Sequence, residues 1–549
     1  MPIVVKKVRR LGAGGGGAAA GGEKGTSSLR PEFAEKTPGC AKACPNHHDV
    51  RAAVMTIAQA EARGKSLDAA FEEAFYILAD KNPLPASVSR ACPHQCEDQC
   101  LRTQLDAPVS INALERFIGD FALEKRLPLK RATDERHSEQ IAVIGSGPGA
   151  LSCAYQLTRR GYPVTMLEAF PEPGGMLRYG IPPHRAPRHI LEAEIDRLRG
   201  LGVEIQCNVA VGKDVSYEDL RARYAAIFVG IRAGWDARLD LPGADAPNVL
   251  SAIEFLHRVN AGEAFAIGGS AVVIGGSDTA LDAARVAVRL GARTTVVFRK
   301  TLQEMPAGRR EVEEAQREGV QIECQATPSA IVVEAGRAAG LRCGRSAGEA
   351  EAAGEFVVAA DTIIAATKPE RDTAGLAALC DADGRIAANE VGETGVANTF
   401  VGGDDLELGI GATAVFRGRR AAEVIHARFR GLPLPPAAAP PAIEKDRMRL
   451  DHYPKQSRAD QTTVSVAERL AAPAQEVVLP ISAEQAVAEA KRCLSCGLCF
   501  ACDTCWKYCQ EQAIVRPPEK GQAYRIKLEF CTGCKKCAEE CPCGYIDMR

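Results

Sequence analysis

Ile141-Ala142-Val143-Ile144-Gly145-Ser146-Gly147-Pro148-Gly149-Ala150 is an apolar run that leads directly into a glycine-rich turn. The run predicts a buried strand, and the helical pattern after it completes a strand–turn–helix unit. In such a unit the first glycine makes the tight turn, the second lets the backbone approach a pyrophosphate, and a small residue further on permits close packing of helix on sheet. The next strand ends on Glu168, where an acid accepts hydrogen bonds from ribose hydroxyls. We predict a dinucleotide site formed by Gly145, Gly147, Pro148, Gly149, Ala150 and Glu168.

A second unit of the same kind starts at Ala271-Val272-Val273-Ile274 and continues into Gly275-Gly276-Ser277-Asp278-Thr279-Ala280. Ser277 stands where a glycine is usual, which crowds the phosphate loop. The strand that follows ends in Arg299-Lys300 rather than in an acid. A positive pair there suits a 2′-phosphate and favours NADP(H) over NAD(H); the alternative is a solvated strand end, which would remove the preference but not the site. The second site is expected to contain Gly275, Gly276, Ser277, Asp278, Thr279, Arg299 and Lys300.

The bulk composition limits the classes of function. At 549 residues the chain is too long for a single core, so several domains are expected. A formal net charge of −2 gives no reason to expect a nucleic acid or an anionic membrane as partner. The sequence has no apolar run as long as a membrane span, and its N-terminus lacks the apolar region of a secretory signal. We therefore expect a cytoplasmic protein.

Cysteine is unusually frequent, with 21 residues, of which sixteen lie in two terminal clusters. A disulfide framework suits a short secreted chain, so iron–sulfur or metal ligation is the favoured explanation. The spacing C-x2-C-x2-C-x3-C occurs twice near the C-terminus, and this is the bacterial two-cluster pattern, in which the fourth cysteine of each run ligates the other cluster. The predicted ligands of one [4Fe–4S] cluster are Cys499, Cys502, Cys505 and Cys541, and those of the other are Cys531, Cys534, Cys537 and Cys509.

Several further motifs carry a family resemblance. Gly174-Gly175-Met176-Leu177-Arg178-Tyr179-Gly180-Ile181-Pro182 resembles the GGxLxYGIP stretch of the glutamate synthase small-subunit-like flavoproteins. Thr399-Phe400-Val401-Gly402-Gly403-Asp404 resembles their second FAD motif, and Glu304-Met305-Pro306-Ala307 resembles the EMPA segment of their nicotinamide domain. The resemblance implies FAD in the first dinucleotide site and the nicotinamide in the second. One departure is Ala365-Ala366-Thr367-Lys368-Pro369, where the family usually has an AxGxxP pattern.

The resemblance also implies roles for residues around the flavin. The aspartate of the second FAD motif, here Asp404, binds the ribityl chain in this family. The helix that opens at Gly411-Ala412-Thr413 points its N-terminus at the isoalloxazine, and such a helix end would stabilise negative charge on a reduced flavin. The further expected cofactor-binding residues are Gly175, Met176, Arg185, Gly403, Asp404, Gly411, Ala412 and Thr413.

The N-terminal cysteines resemble the family's cluster domain, which normally holds two [4Fe–4S] clusters. By position, one cluster would take Cys44, Cys92 and Cys96. Glu115 occupies the place where relatives use Glu or Gln as the fourth ligand. The alternatives are that Glu115 is a plain helix-surface carboxylate and that His47 or His48 substitutes for it.

The other N-terminal cluster would use Cys40 and Cys100, but the family's first two cysteines are missing upstream of Cys40. The motif that carries these two cysteines occurs near the C-terminus instead, as Arg492-Cys493-Leu494-Ser495-Cys496. We hypothesise that Cys493 and Cys496 fold back and complete this cluster, because a [4Fe–4S] cluster needs four thiolates. The rival hypothesis is that Cys40 and Cys100 are vestigial and that one N-terminal cluster is absent.

The expected fold class is α/β and multidomain. It combines a helical N-terminal iron–sulfur domain, two Rossmann-like domains for FAD and NAD(P), and a C-terminal α+β two-cluster ferredoxin domain. The expected divisions are a flexible Gly-rich arm at 1–25, the iron–sulfur domain at 26–135, the discontinuous FAD-binding domain at 136–254 and 376–430, the NAD(P)-binding domain at 255–375, a linker at 431–482 and the ferredoxin domain at 483–549.

The predicted function is that of an NAD(P)H:acceptor oxidoreductase passing electrons between NAD(P)H, FAD and [4Fe–4S] clusters. Flavin converts a two-electron hydride into single electrons, so no side chain has to act as acid, base or nucleophile. The chain is similar to the iron–sulfur flavoprotein associated with dissimilatory sulfite reductase and to the NADP:ferredoxin oxidoreductases of anaerobic aromatic metabolism. These similarities imply sulfite reductase or ferredoxin as the partner, and the family often forms dimers. The alternatives are a glutamate synthase small subunit and a non-catalytic electron-storage subunit.

Overall fold

The computed structural model describes residues 26–231, 239–345, 354–367, 373, 375–381, 384, 386–403, 409–434, 440–519 and 521–549. The predicted arm at 1–25 and Asp404 lie outside the described residues. Within the described ranges, no helix combines the length and apolar character needed to cross a membrane.

The N-terminal domain is helical. Ser66 is the N-cap of the helix Leu67–Ala79, and its side chain accepts a hydrogen bond from the Ala69 amide at 3.2 Å. Phe71, Phe75 and Leu78 recur at helical spacing on that helix and are buried against the rest of the domain. The elements are β1 (Pro31–Phe33), α1 (Gly39–Ala43), α2 (Val50–Ala58), α3 (Leu67–Ala79), α4 (Pro85–Ala91), α5 (Gln95–Asp98) and α6 (Ile111–Glu124).

The first dinucleotide motif belongs to a parallel five-stranded sheet. Its first part comprises β2 (Ile141–Ile144), α7 (Pro148–Arg159), β3 (Val164–Glu168), α8 (Met176–Tyr179), α9 (Arg188–Leu201), β4 (Glu204–Cys207), α10 (Tyr217–Arg223) and β5 (Ala226–Val229). The chain leaves this sheet after β5 and returns to it only with a later strand that pairs in parallel with β5. The domain that carries this sheet is therefore discontinuous.

The second dinucleotide motif lies in the inserted domain. Its elements are β6 (Val249–Ser251), α11 (Ala252–Asn260), β7 (Ser270–Ile274), α12 (Asp278–Arg289), β8 (Arg293–Phe298), α13 (Arg309–Arg317), β9 (Gln321–Cys324), β10 (Ala326–Glu334), β11 (Arg337–Arg345), β12 (Glu355–Ala359) and β13 (Thr362–Ala365). A parallel sheet has the order β6-β13-β7-β8-β9, and β10, β11 and β12 form an antiparallel sheet. Strand β6 pairs with β13, so the second sheet begins several residues before the expected boundary at 254.

The returning segment completes the first sheet, whose order is β14-β5-β2-β3-β4. It consists of β14 (Thr399–Val401) and the long helix α14 (Gly411–Arg430). Helices α14 and α7 cross at very short distance, because a Cβ on Gly418 would lie 1.9 Å from the Gly149 carbonyl oxygen. One apolar core includes Phe71 of α3, Tyr155 of α7 and Ile425 of α14, so the cluster domain and the first sheet share their packing.

Residues 440–482, which we call the strap, contact both the inserted domain and the helical domain. Arg469 in α15 (Val466–Ala471) reaches the inserted domain by a 3.2 Å contact with Glu318. Glu476 pairs with Arg116 of α6 at 3.0 Å. The expected linker is thus packed against its neighbours through ion pairs along its length.

The C-terminal module contains α16 (Ala483–Ala490), α17 (Thr504–Tyr508), β15 (Ile514–Val515), β16 (Arg525–Ile526), α18 (Lys536–Glu539) and β17 (Ile546–Met548). Strand β15 pairs with β16. Strand β17 pairs antiparallel with β1, and Glu32 lies opposite Asp547. The module is therefore joined directly to the N-terminal domain.

Candidate functional site

The two predicted dinucleotide turns line one cavity of about 890 Å³. The first turn contributes Gly145 and Gly147, and the second contributes Ser277 and Asp278. Because both turns open into a common space, two nucleotides bound to them would approach each other inside it. This arrangement suits transfer between a flavin and a nicotinamide.

The first turn has the backbone that a pyrophosphate site needs. Gly145 has φ +90°, and a Cβ there would lie 2.5 Å from the Gly230 carbonyl oxygen. At Gly147, no heavy atom of the described residues lies within 4 Å of where a Cβ would be. Pro148 starts α7, Gly149 approaches α14, and Ala150 is fully buried. The turn is therefore closely packed at Gly145 and open at Gly147, next to the N-terminus of α7, where a pyrophosphate would bind.

Glu168 ends β3 beside this turn and is 5% exposed. Its carboxylate accepts hydrogen bonds from the Ser146 hydroxyl and from the Phe170 amide, the latter at 2.9 Å. Ser146 in turn accepts from the Gly174 amide at 2.8 Å. Burial raises the pKa of Glu168, while these hydrogen bonds favour the ionised form. A ribose hydroxyl entering the cavity would meet an oriented carboxylate.

Residues of the family motifs surround the same space. Gly175 and Met176 line it at the start of α8, and Gly403 lines it after β14. Gly411 lines it at the start of α14, whereas Ala412 faces a neighbouring pocket and Thr413 lies half-buried in the first turn of α14. Ile410, the N-cap of α14, also lines the cavity although no motif predicted it.

The second turn is closed more tightly than the first. A Cβ on Gly276 would lie 2.7 Å from the Phe298 ring, so Gly276 packs behind the loop. Gly275, with φ +133°, packs against Ala366. Ser277 acts as the N-cap of α12 and accepts from the Ala280 amide at 3.3 Å. Ser277 stands where a glycine is usual and caps the helix. Asp278 and Thr279, which follow it, also line the cavity.

The predicted positive pair follows β8 and does not line the large cavity. Arg299 and Lys300 are exposed directly after β8. Lys300 lies 3.4 Å from Glu304, and both side chains are about half exposed. The pair is therefore open to an incoming phosphate.

Arg185 lines the cavity, but its guanidinium is engaged across the interface between the two sheets. Its Nη1 lies 2.6 Å from Asp282 of α12, and its Nη2 lies 3.9 Å from Glu311. Burial raises the pKa of Asp282 to about 6, against the lowering effect of Arg185. Asp282 lines the cavity without having been predicted; an acid one turn into the helix behind a phosphate loop was the available signal.

A small pocket lies next to the flavin side of the cavity. Its lining includes Cys44, Cys92, Cys96 and Glu115, the four residues expected to hold one cluster. Ala412 and Ile410 of the α14 N-terminus form part of its wall, and Ile410 also lines the large cavity. Ile410 is therefore a wall shared by the candidate flavin site and the candidate cluster site.

Of the two adjacent histidines, only His48 lines this pocket among the described residues. Its Nδ1 lies 3.0 Å from Glu115 Oε1. His47 instead contacts the Ala41 carbonyl oxygen at 3.3 Å and the Phe416 ring.

The structure brings Cys40 and Cys100 together with Cys493 and Cys496. Burial raises the pKa of Cys496 well above the ordinary value, and the negative charges of the other three thiolates raise it further. Arg51 fixes this approach by donating to the carbonyl oxygens of Lys36 and Cys496, each at 2.8 Å. Residues separated by about 400 positions in the chain thus form one thiol group.

The two ferredoxin runs form two separate pockets. One is lined by Cys499, Cys502, Cys505 and Cys541, and the other by Cys509, Cys531, Cys534 and Cys537. The fourth cysteine of each run thus lies with the other run, as the spacing predicts. Cys543, for which no role was predicted, lies with its sulfur 3.8 Å from that of Cys541.

The donor sets fit clusters rather than single ions. Across the described chain, no three His, Cys, Asp or Glu side chains converge tightly enough to hold one metal ion. A four-iron cluster is larger than one ion, so its thiolates surround it at wider separation. Three separate pockets, lined by three, four and five cysteines, match that requirement.

Comparison with family models gives two matches. Residues 139–426 match the pyridine nucleotide-disulphide oxidoreductase model, which covers both sheets and the large cavity. Residues 33–127 match the model described as dihydropyrimidine dehydrogenase domain II, 4Fe-4S cluster, which covers the helical domain.

Individual proteins are similar over much of the chain. The beta subunit of the NADPH-Fe(3+) oxidoreductase of Geobacter sulfurreducens is 32% identical over 84% of this chain and 76% of its own length. The small chain of the glutamate synthase [NADPH] of Escherichia coli is 32% identical over 64% of this chain and 82% of its own. Among solved structures, Mycobacterium tuberculosis FprA in complex with NADPH is 20% identical over 54% of this chain and 85% of its own, with a TM-score of 0.47.

Proposed function

The chain belongs to the pyridine nucleotide-disulphide oxidoreductase family and, within it, to the glutamate synthase small-subunit-like iron–sulfur flavoproteins, and from this we propose that it passes electrons from NADPH to a protein partner that docks on its C-terminal module. It is an NAD(P)H-dependent oxidoreductase that uses FAD and [4Fe–4S] clusters. The finer proposal concerns the ligands of each cluster, the route and the acceptor.

The observation that carries the proposal is the shared wall at Ile410. This residue lines both the large cavity and the pocket of Cys44, Cys92 and Cys96. Electrons leaving a flavin in the cavity would have to cross only the start of α14 to reach a cluster. The N-terminus of this helix, with its partial positive charge, would also stabilise negative charge at the flavin.

The residues of the cavity would bind and orient the nucleotides. Gly145 and Gly147 would admit the FAD pyrophosphate at the start of α7, and Glu168 would accept hydrogen bonds from its ribose. Asp404 would bind the ribityl chain, as the resemblance implies. Bound FAD would supply the conversion between a hydride and single electrons.

We assign four cluster sites along the route. The first is bound by Cys44, Cys92, Cys96 and Glu115, and the second by Cys40, Cys100, Cys493 and Cys496. Tyr453 supports the proposed next step, because its hydroxyl donates to the Leu494 carbonyl oxygen at 2.8 Å and its ring packs in the same apolar cluster as Cys496. The two ferredoxin clusters follow, with the ligand sets given by their pockets.

The nucleotide and the acceptor are proposed on separate grounds. Arg299 and Lys300 favour NADPH, and the names of the Geobacter and Escherichia relatives both specify NADPH. The double ferredoxin module favours a one-electron protein acceptor, either dissimilatory sulfite reductase or ferredoxin. The reduced thiol clusters and the nicotinamide would place the reaction in the cytoplasm.

The test is anaerobic stopped-flow reduction of the purified protein with NADPH and, separately, with NADH. We expect fast bleaching of the flavin followed by reduction of a viologen dye, with NADPH preferred. Cys537→Ser, which removes a ligand of the cluster furthest along the proposed route, should leave flavin bleaching unchanged and slow the reduction of ferredoxin or sulfite reductase. Bound FAD that neither nucleotide bleaches would show instead that the chain stores electrons without catalysis.

A second candidate is a glutamate synthase small subunit, which the 32% identity to the Escherichia small chain favours. It differs from the main proposal in its partner, a large amidotransferase chain. Co-purification with such a chain, and glutamate formation from glutamine and 2-oxoglutarate, would support it over the ferredoxin-type acceptor.

A further inference from the structure

Three polar side chains are packed in sequence beside the pocket of Cys44, Cys92 and Cys96. Asn46 is fully buried, His48 is 5% exposed, and the Glu115 side chain is 15% exposed. Burying polar groups is unfavourable unless they are hydrogen-bonded, so their partners define what each group can do.

The amide of Asn46 has one permitted orientation. Its Nδ2 lies 3.0 Å from the Lys81 carbonyl oxygen, which can only accept. Its Oδ1 lies 3.3 Å from Arg419 Nε, which can only donate. A flipped amide would place acceptor against acceptor and donor against donor, so the nitrogen must face Lys81.

This orientation fixes the tautomer of His48. The same Nδ2 lies 2.7 Å from His48 Nε2, and its second hydrogen makes it the donor there. Nε2 therefore accepts, the ring proton is on Nδ1, and Nδ1 donates to Glu115 Oε1 at 3.0 Å. Both nitrogens of His48 are engaged, which excludes His48 itself as the fourth cluster ligand in this arrangement.

We propose that Asn46 and His48 are positioning residues that hold Glu115 as a one-oxygen ligand of the iron–sulfur cluster, an inference that rests on the cluster site proposed above. Because His48 donates to Oε1, Oε2 is the oxygen that remains for the cluster. The last member of the chain of hydrogen bonds, Arg419, belongs to α14, whose first turn walls both the flavin cavity and this pocket. The orientation of the carboxylate is thus tied to the helix that separates the two cofactors, in the way that outer partners orient ligating histidines at other metal sites.

Two amide substitutions of His48 distinguish the positioning of Glu115 from a purely structural role. In His48→Asn, the amide nitrogen can take the place of Nδ1 and still donate to Glu115. In His48→Gln, the longer side chain carries its amide to the place of Nε2, toward Asn46. His47→Gln is the matched control, because His47 contacts the Ala41 carbonyl oxygen rather than Glu115. Glu115→Gln changes the proposed ligand itself and so identifies which EPR signal belongs to this cluster.

The readout is the EPR spectrum and the reduction potential of each cluster, with iron and FAD content. We expect Glu115→Gln and His48→Gln to change the spectrum of the same cluster, with about a tenfold change in its one-electron equilibrium, or about 59 mV. His48→Asn and His47→Gln should keep the wild-type spectrum. Flavin bleaching by NADPH should be unchanged in the His47→Gln control, because the His47 side chain contacts the Ala41 carbonyl oxygen and does not line this pocket.

Three results would overturn the assignment. The first is a wild-type spectrum and potential in His48→Gln, and the second is an unchanged spectrum in Glu115→Gln. The third is equal loss of iron or FAD from His48→Asn and His48→Gln, which would show that His48 serves only the fold. If NADPH failed to bleach the wild-type flavin while these spectral differences persisted, the proposed function would fail and the ligand assignment would stand.

Discussion

At the scale of single residues, a buried carboxylate of the cofactor cavity is paired with an arginine from a different domain. Asp282 on α12 is buried and pairs with Arg185, which follows α8 in the first-sheet domain. Neither residue stands near the other in sequence. Pairing across the domain interface lets a carboxylate remain beside the nucleotide loop, because an unpaired buried charge would be strongly unfavourable.

Asp282 gives a pH dependence with a defined sign. Its pKa in the folded protein is about 6, raised by burial from 3.8. Between these values the folded state binds a proton that the unfolded state has released, so the free energy of unfolding should fall as pH rises through this window. We expect the stability difference between wild type and Asp282→Asn to change from pH 3.8 to about 6 and to level off above it. Calorimetric unfolding at several pH values checks this, and parallel curves would contradict it.

The exposed pair after β8 predicts a split between the two nucleotides. The double substitution Arg299→Ala, Lys300→Ala should raise KM for NADPH by about tenfold or more, since hydrogen bonds to charged groups contribute about 1.5–3 kcal/mol each. KM for NADH and kcat should change little. Arg293→Ala, exposed at the start of the same strand, is the control. Equal effects on both nucleotides would identify the pair as a solvated strand end.

At the scale of elements, the strap connects domains that the sequence separates. Glu476 contacts Arg90 and Arg116 of the helical domain, and the Val477 amide donates to the His184 carbonyl oxygen at 2.9 Å. Arg469 is 2% exposed and pairs with Glu314 and Glu318 of α13. The strap thereby fixes the inserted nucleotide domain relative to the cluster domain.

Arg469→Ala should therefore destabilise the inserted domain. Its loss would leave Glu314 and Glu318 with fewer partners in a buried place, and breaking such a pair costs about 3–5 kcal/mol. Thermal unfolding and limited proteolysis within the strap measure the effect. Arg309→Ala, which removes an exposed partner of Glu313 on the same helix, should change stability by less than about 1 kcal/mol. Similar behaviour of the two variants would show that the strap contributes little.

At the scale of the whole molecule, the thiol group of Cys40, Cys100, Cys493 and Cys496 joins the two ends of the chain. Cys493→Ser with Cys496→Ser should remove about four irons per chain, the content of one cluster. Cys40→Ser with Cys100→Ser should remove the same number, whereas Cys324→Ser on β9 should remove none. Iron analysis with EPR decides the matter. Unchanged iron in the Cys493 and Cys496 variant would mean that Cys40 and Cys100 are vestigial.

Features set by short-range chemistry could be predicted from the sequence. The glycine turns before α7 and α12 follow from local backbone geometry, and the fold class of two Rossmann-like domains behind a helical cluster domain is confirmed. Most other contacts between distant segments could not be predicted, because local periodicity does not encode them. The exceptions are the cysteine sets, which the ferredoxin spacing and the family resemblance indicated. Ile410 as a shared wall and the Asp282–Arg185 pair arise from packing between domains, and the contacts of the buried His48 arise from packing within the helical domain. The boundary near β6 was missed because a three-residue strand carries little signal.

The pairing of β1 with β17 has a consequence for biogenesis. A ribosome releases the chain from its N-terminus, so residues 31–33 emerge long before their partners at 546–548. Cys40 and Cys100 emerge early as well and wait for Cys493 and Cys496. On the proposed assignment, all four thiolates are available at this site only after residue 496 has been synthesised, so a cluster would be assembled there late in translation. A product truncated by a nonsense codon ahead of residue 493 would expose two unmatched thiols to oxidation.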